Sequence, residues 1–141
     1  MRSLRNFWLF FIGSWIVYFF LLPLVSALKI YEIFPAIGFI GYGLMILLNL
    51  IAISECQKRY DYILVSISLI AIGAVASTDM IINKSTMISI WVEQWPSLTT
   101  ELASDYVQIL IILLNIFTGS IAAQGLFHGL NKRAFNKNYC D

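Results

Sequence analysis

Four long runs of apolar residues divide the chain, at about 7–28, 33–54, 62–83 and 106–130. Each is interrupted by few charges and is long enough, at 1.5 Å per residue, to cross a hydrocarbon layer of about 30 Å as a helix. Alternating segments of about ten residues, the signature of a membrane barrel, are missing. Only helices and closed barrels satisfy their backbones in lipid. The pattern therefore predicts an all-α polytopic membrane protein, with residues 1–141 forming one domain of four transmembrane helices in a compact bundle.

The first run is aromatic, and Trp8, Phe11, Trp15 and Tyr18 recur at helical spacing. Arg2, Arg5, the apolar run and Val25-Ser26-Ala27 also have the layout of a signal peptide. The run is longer than a usual signal core and its bulky aromatics suit an anchor, so it is read as a membrane helix. Pro23 is expected to kink or end it. The second run opens with Pro35 and carries Gly38, Gly41 and Gly43. Gly41-Tyr42-Gly43 matches part of a potassium-channel filter, but Phe39 holds the threonine position and Pro35 interrupts any pore helix. The glycines are read as notches for a neighbouring helix.

The longest connection runs from Asn83 to Asp105. Within it Met87, Ile88, Trp91, Val92 and Trp95 fall on one helical face, with Ser85, Ser89 and Glu93 opposite. This predicts a short interfacial helix in the third loop, its indoles at headgroup depth and its end at Pro96. Ser97, Thr99 and Thr100 are candidate caps for the last helix.

The last run is uncharged apart from His128, yet it holds Gln108, Asn115 and Gln124. Gln108, Asn115, Ala122 and Gly129 recur every seven residues, and Gly119 and Gly125 lie close to that line. Small and amide residues at such spacing predict a helix-packing seam, with Asn115 in an interhelical hydrogen bond.

Composition agrees with a membrane protein. Apolar residues make up 60% and charged residues 12%; soluble domains hold roughly 45–50% and 25%. The net charge of +1 and the lack of a basic aromatic patch argue against nucleic acid. Cys56 and Cys140 form no CxxC pair, and one histidine makes no metal set, so neither metal nor cofactor is expected. No catalytic constellation is visible, and the expectation is a non-enzyme.

Seven basic residues (Arg2, Arg5, Lys58, Arg59, Lys132, Arg133, Lys137) fall on one side of the predicted membrane, against Lys29 and Lys84 on the other. The positive-inside rule then puts both termini in the cytoplasm of a bacterial inner membrane or plasma membrane. Asp79, near the outer end of the third run, is the one acid in the membrane zone and a candidate ion or polar site.

Size, lack of chemistry and one sizeable outer loop point to a protein–protein role. The expected partners are the bilayer and a membrane or extracytoplasmic protein. The chain would be an accessory subunit, or an immunity or exclusion factor against a membrane-active toxin. Trp91, Glu93 and Trp95 are the candidate contacts. The alternative is a subunit of a small homo-oligomeric transporter or channel.

Overall fold

A computed structural model describes residues 2–30 and 37–131. Every regular element among them is helical, and four helices are long and apolar enough to cross a membrane. In chain order the elements are α1 (Arg2–Ile16), a π-helical turn (Val17–Leu21), α2 (Leu22–Ala27), α3 (Ile37–Ser54), α4 (Arg59–Ile82), α5 (Lys84–Gln94) and α6 (Thr100–Leu130).

The first span runs through Pro23 where the sequence predicted a kink or an end. Proline cannot donate to the carbonyl four residues back and crowds it. The π turn lies just before it, and the Leu22 N–H reaches back to the Val17 carbonyl. That wider turn gives the ring room, and the chain stays helical to Ala27. Lys29 then takes a left-handed conformation (φ 53°) as the helix ends. Pro35, expected in the first turn of the second span, lies outside the described residues, as does Cys140.

A four-residue loop, 55–58, joins α3 to α4, and the short helix α5 lies between α4 and α6. At the start of α4 the Lys58 N–H donates to the Asp61 carboxylate at 3.3 Å, placing an acid where the helix dipole favours it. Asn83 alone separates α4 from α5. The last span begins six residues before the apolar run predicts, because Thr99 caps it by accepting from the Leu102 N–H at 3.3 Å. The result is a 31-residue helix about 46 Å long, with Glu101 and Asp105 in its first turns.

Each span packs on its sequence neighbour: α1 on α3, α3 on α4, and α4 most extensively on α6, while α5 lies against α6. Among the described residues the first and last spans make no extended contact with each other, so the four form an open row, not a closed ring. One core still threads all four, through Phe7, Met45, Ile46, Leu69, Ile72 and Ala122. Burial follows this order: 44% of the α4 window is buried, against 6% for the first span.

The α4–α6 interface is tight because small residues let the backbones approach. A β-carbon at Gly73 would meet the Thr118 Oγ1 at 2.5 Å. One at Gly125 would overlap the Ser66 hydroxyl, and one at Gly129 would meet the Arg59 carbonyl oxygen at 3.1 Å. Arg59 also donates from Nε to the Gly129 carbonyl at 2.6 Å, satisfying an orphan acceptor at the negative end of α6. The buried positions of α6 are Ala103, Val107, Thr118, Ala122, Gly125 and Gly129.

Gln108, assigned to this seam by heptad spacing, and Gly119, read as close to that line, are not among the buried positions of α6. Both are exposed, and Gly119 has nothing within 4 Å of its missing β-carbon. A straight helix drifts about 20° per heptad. Val107, Thr118 and Gly129 instead recur every eleven residues, which holds them on one face of α6. Asn115 sits at the edge: it is exposed, but its Oδ1 accepts from the Ser77 hydroxyl of α4 at 3.0 Å.

Candidate functional site

Among the described residues, the connection from Asn83 to Asp105 combines a shaped surface with carboxylates that have no partner. The α5 helix ends at Gln94 because Trp95 precedes Pro96, and a residue before proline is pushed out of the helical region. Trp95 is accordingly extended (φ −126°, ψ 89°), so its indole is aimed by the turn and not by the helix face the sequence assigns it. The Leu98 N–H donates back to the Trp95 carbonyl at 2.9 Å, closing the turn that leads to Thr99.

Two grooves border α5. Trp91, Trp95, Leu98, Tyr106, Ile109 and Leu110 line the first, of about 330 Å³. Ser85, Ile88, Ser89, Val92, Glu93 and Thr100 line the second, of about 540 Å³. Both fall in the size range of ligand clefts. Trp91 and Glu93 are two residues apart, hence about 200° around the helix, and face different grooves. Trp95 is 60% exposed, a large apolar side chain left at a surface.

Charge on this connection is one-sided: Glu93, Glu101 and Asp105 stand against Lys84. Among the described residues the three carboxylates make no ion pair or hydrogen bond. Asp105 is four residues before Ile109, so it rises from the same face of α6 one turn above the wall of the first groove.

Asp79 is placed elsewhere. It accepts a hydrogen bond from the Tyr42 hydroxyl of α3 and joins the α3–α4 pair near the C-terminal end of α4. Asn83, one turn on, donates from Nδ2 to the Asp79 backbone carbonyl at 3.0 Å. The structure does not bring Asp79 to the grooves. Tyr42, part of the filter-like tripeptide, is thus engaged in holding two helices together.

Sequence reasoning missed Asn49. Its side chain is fully buried; Nδ2 donates to the Met45 carbonyl at 2.9 Å, while Oδ1 has no partner. Ser14 of α1 is also fully buried. Leu22 lies against Gly41, so the first span meets α3 there. Spacing gave no warning, because one amide in an apolar run has no periodicity. His128 packs edge-on to Tyr62, with ring centroids 4.7 Å apart, where the C-terminal end of α6 meets the start of α4. Cys56, between α3 and α4, is buried and donates to the Ala52 carbonyl at 3.3 Å. Burial, then the nearby Asp61 charge, pushes its thiol up to about 12.

Comparison with family models, with curated proteins and with solved structures finds no match for this chain.

Proposed function

We propose that this is a non-catalytic membrane protein that acts by protein–protein interaction. It serves as an accessory subunit of a membrane complex, or as an immunity or exclusion factor against a membrane-active toxin. It resides in a bacterial inner membrane or plasma membrane with both termini in the cytoplasm. In that orientation α5 is an interfacial helix on the outer face, and Trp91, Glu93 and Trp95 contact the partner. The observation that carries the reading is the pair of grooves around α5, one lined by two indoles and a tyrosine. Aromatic side chains in such grooves are typical interaction hot spots, and indoles there also anchor the helix at the headgroups.

The test is a scan of residues 84–105 in the native membrane, with co-purification of the partner as readout. Trp91→Ala and Trp95→Ala are expected to lose the partner while expression and insertion stay normal. A scan that yields no binding-defective, well-inserted variant leaves α5 as an anchor only.

The alternative, a subunit of an oligomeric transporter or channel, draws support from the open row and the unpaired Asn49 oxygen. Its discriminating result is a homo-oligomer free of other proteins, with ion flux in proteoliposomes that Asp79→Asn abolishes.

A further inference from the structure

The distribution of charge around the aromatic groove identifies the partner by its chemistry. We infer that the α5–α6 surface takes a cationic amphipathic peptide segment, an apolar side chain entering over Trp91, Trp95 and Tyr106 and a basic side chain meeting Asp105. This rests on the interaction reading above and names the occupant of that site.

Three features converge on it. The first groove is lined by apolar and aromatic side chains, so its occupant must present apolar surface. Asp105 stands one turn from the Ile109 wall, and neighbouring turns of a helix are about 5–6 Å apart. A ligand helix with a lysine or arginine one turn from its apolar anchor matches that spacing. Glu93, on the far side of α5, and Glu101, in the first turn of α6, extend the negative field, and these carboxylates are unpaired among the described residues. Indole and phenol faces also attract cations, which adds to the same preference. A second copy of this chain fits poorly. Its basic clusters lie at the opposite membrane face in the proposed orientation, out of reach of an outer acidic surface in a parallel pair.

The experiment uses the full chain in phosphatidylcholine nanodiscs, with Trp8→Phe and Trp15→Phe so that only Trp91 and Trp95 fluoresce. Two synthetic helical peptides share one apolar face and carry lysines or glutamates on the other; empty nanodiscs measure partition into lipid. The lysine peptide is expected to shift the emission saturably beyond the empty-disc signal, and the glutamate peptide is not. Reversing the charge beside the groove, Asp105→Lys, is expected to weaken binding about fivefold, Glu93→Lys on the far side of α5 to weaken it less, and added salt to weaken it further. Retained circular dichroism and elution volume show that the variants fold.

Equal binding of both peptides overturns the inference. So does affinity indifferent to both reversals, and so does emission quenched by bromine-labelled acyl chains that the lysine peptide fails to displace. The last result makes the groove a lipid site. If the native partner is lost on Trp91→Ala yet survives Glu93→Lys with Asp105→Lys, the interaction reading stands and the cationic specificity falls.

Discussion

Gly119 and Gly129 look alike in the sequence of α6 but sit in opposite environments, and alanine should change stability with opposite sign at the two. A β-carbon at Gly129 would lie 2.8 Å from Ile63 Cγ1, 3.1 Å from the Arg59 carbonyl oxygen and 3.2 Å from Tyr62 Cβ. The Ile63 side chain can turn away, but the Arg59 carbonyl is backbone, so α4 itself must retreat. Overpacking of this kind costs about 1–3 kcal/mol, and the gain from replacing a helical glycine returns only about 0.5–1 kcal/mol. Gly129→Ala should therefore lose about 1–2 kcal/mol, and more if the Arg59 Nε bond to the Gly129 carbonyl lengthens. At Gly125 the obstacle is the Ser66 hydroxyl, which can rotate if it gives up its 2.7 Å bond to the Tyr62 carbonyl. That exchange costs about 1 kcal/mol, so Gly125→Ala should be close to neutral. Gly119 meets nothing, and Gly119→Ala should gain about 0.5–1 kcal/mol. The assay is heating of each purified variant in one detergent, with the surviving monodisperse fraction read by size exclusion. Equal melting of Gly119→Ala and Gly129→Ala would refute the reasoning and turn Gly119 towards protein.

Reporter fusions at residue 57 and at the C-terminus should read cytoplasmic and one at Thr99 exterior; an exterior C-terminus defeats the orientation. Asp79→Asn keeps an acceptor for Tyr42 and should be silent in proteoliposome flux, whereas loss of flux in a well-folded variant promotes the transporter reading. Asn49→Leu removes a buried acceptor without a partner and should raise thermal stability by about 1 kcal/mol; a fall shows that the oxygen is in use. Cys56, held protonated by burial, should resist maleimide at pH 8 until detergent unfolds the chain. Its folded pKa, about 12, exceeds an unfolded value near 8.5. Its contribution to stability is thus present below that value and lost as pH rises from about 9 towards 12, as melting across that range will show.

The helical class and the four spans were legible because a bilayer imposes length and polarity directly on sequence. Their ends were less so: a sum of hydropathy starts the last span at Tyr106, whereas the chain starts it at the Thr99 cap, two polar turns earlier. The seam was half legible. Ala122, Gly125 and Gly129 are buried in α6, but heptad counting also enlisted Gln108, and Gly119 was read beside that line, since a straight helix does not keep a seven-residue line. The apolar face read on α5 is divided in the structure: Trp91 and Trp95 line the first groove, whereas Ile88 and Val92 line the second beside Ser85, Ser89 and Glu93. What no pattern in one helix reveals is the second wall, Tyr106, Ile109 and Leu110, because it comes from another element. For the same reason Tyr42 and Asp79 cannot be matched until the register between helices is known.

Polar residues inside the spans invite a reading as pore or proton path, and the hydrogen bonds argue against it. Ser14 donates to the Phe11 carbonyl, Ser66 to Tyr62, Thr78 to Ala74, Asn115 to Ile111 and Thr118 to Leu114, each three or four residues back on its own helix. A hydroxyl or amide closed on its own backbone needs neither water nor a partner helix to enter lipid. Their presence therefore carries little information about a conduction path. Ser77 with Asn115 and Tyr42 with Asp79 are different, because each joins two helices, and together they set the depth of α4 against α6 and α3. An interhelical bond in a membrane averages only about 0.6 kcal/mol, so their effect is on register more than on stability. Apart from Asn49 Oδ1 and Ser68 Oγ, which have no partner, the described intramembrane hydrogen bonds serve backbone and register, and the α5–α6 connection is where three carboxylates and two indoles remain at the surface.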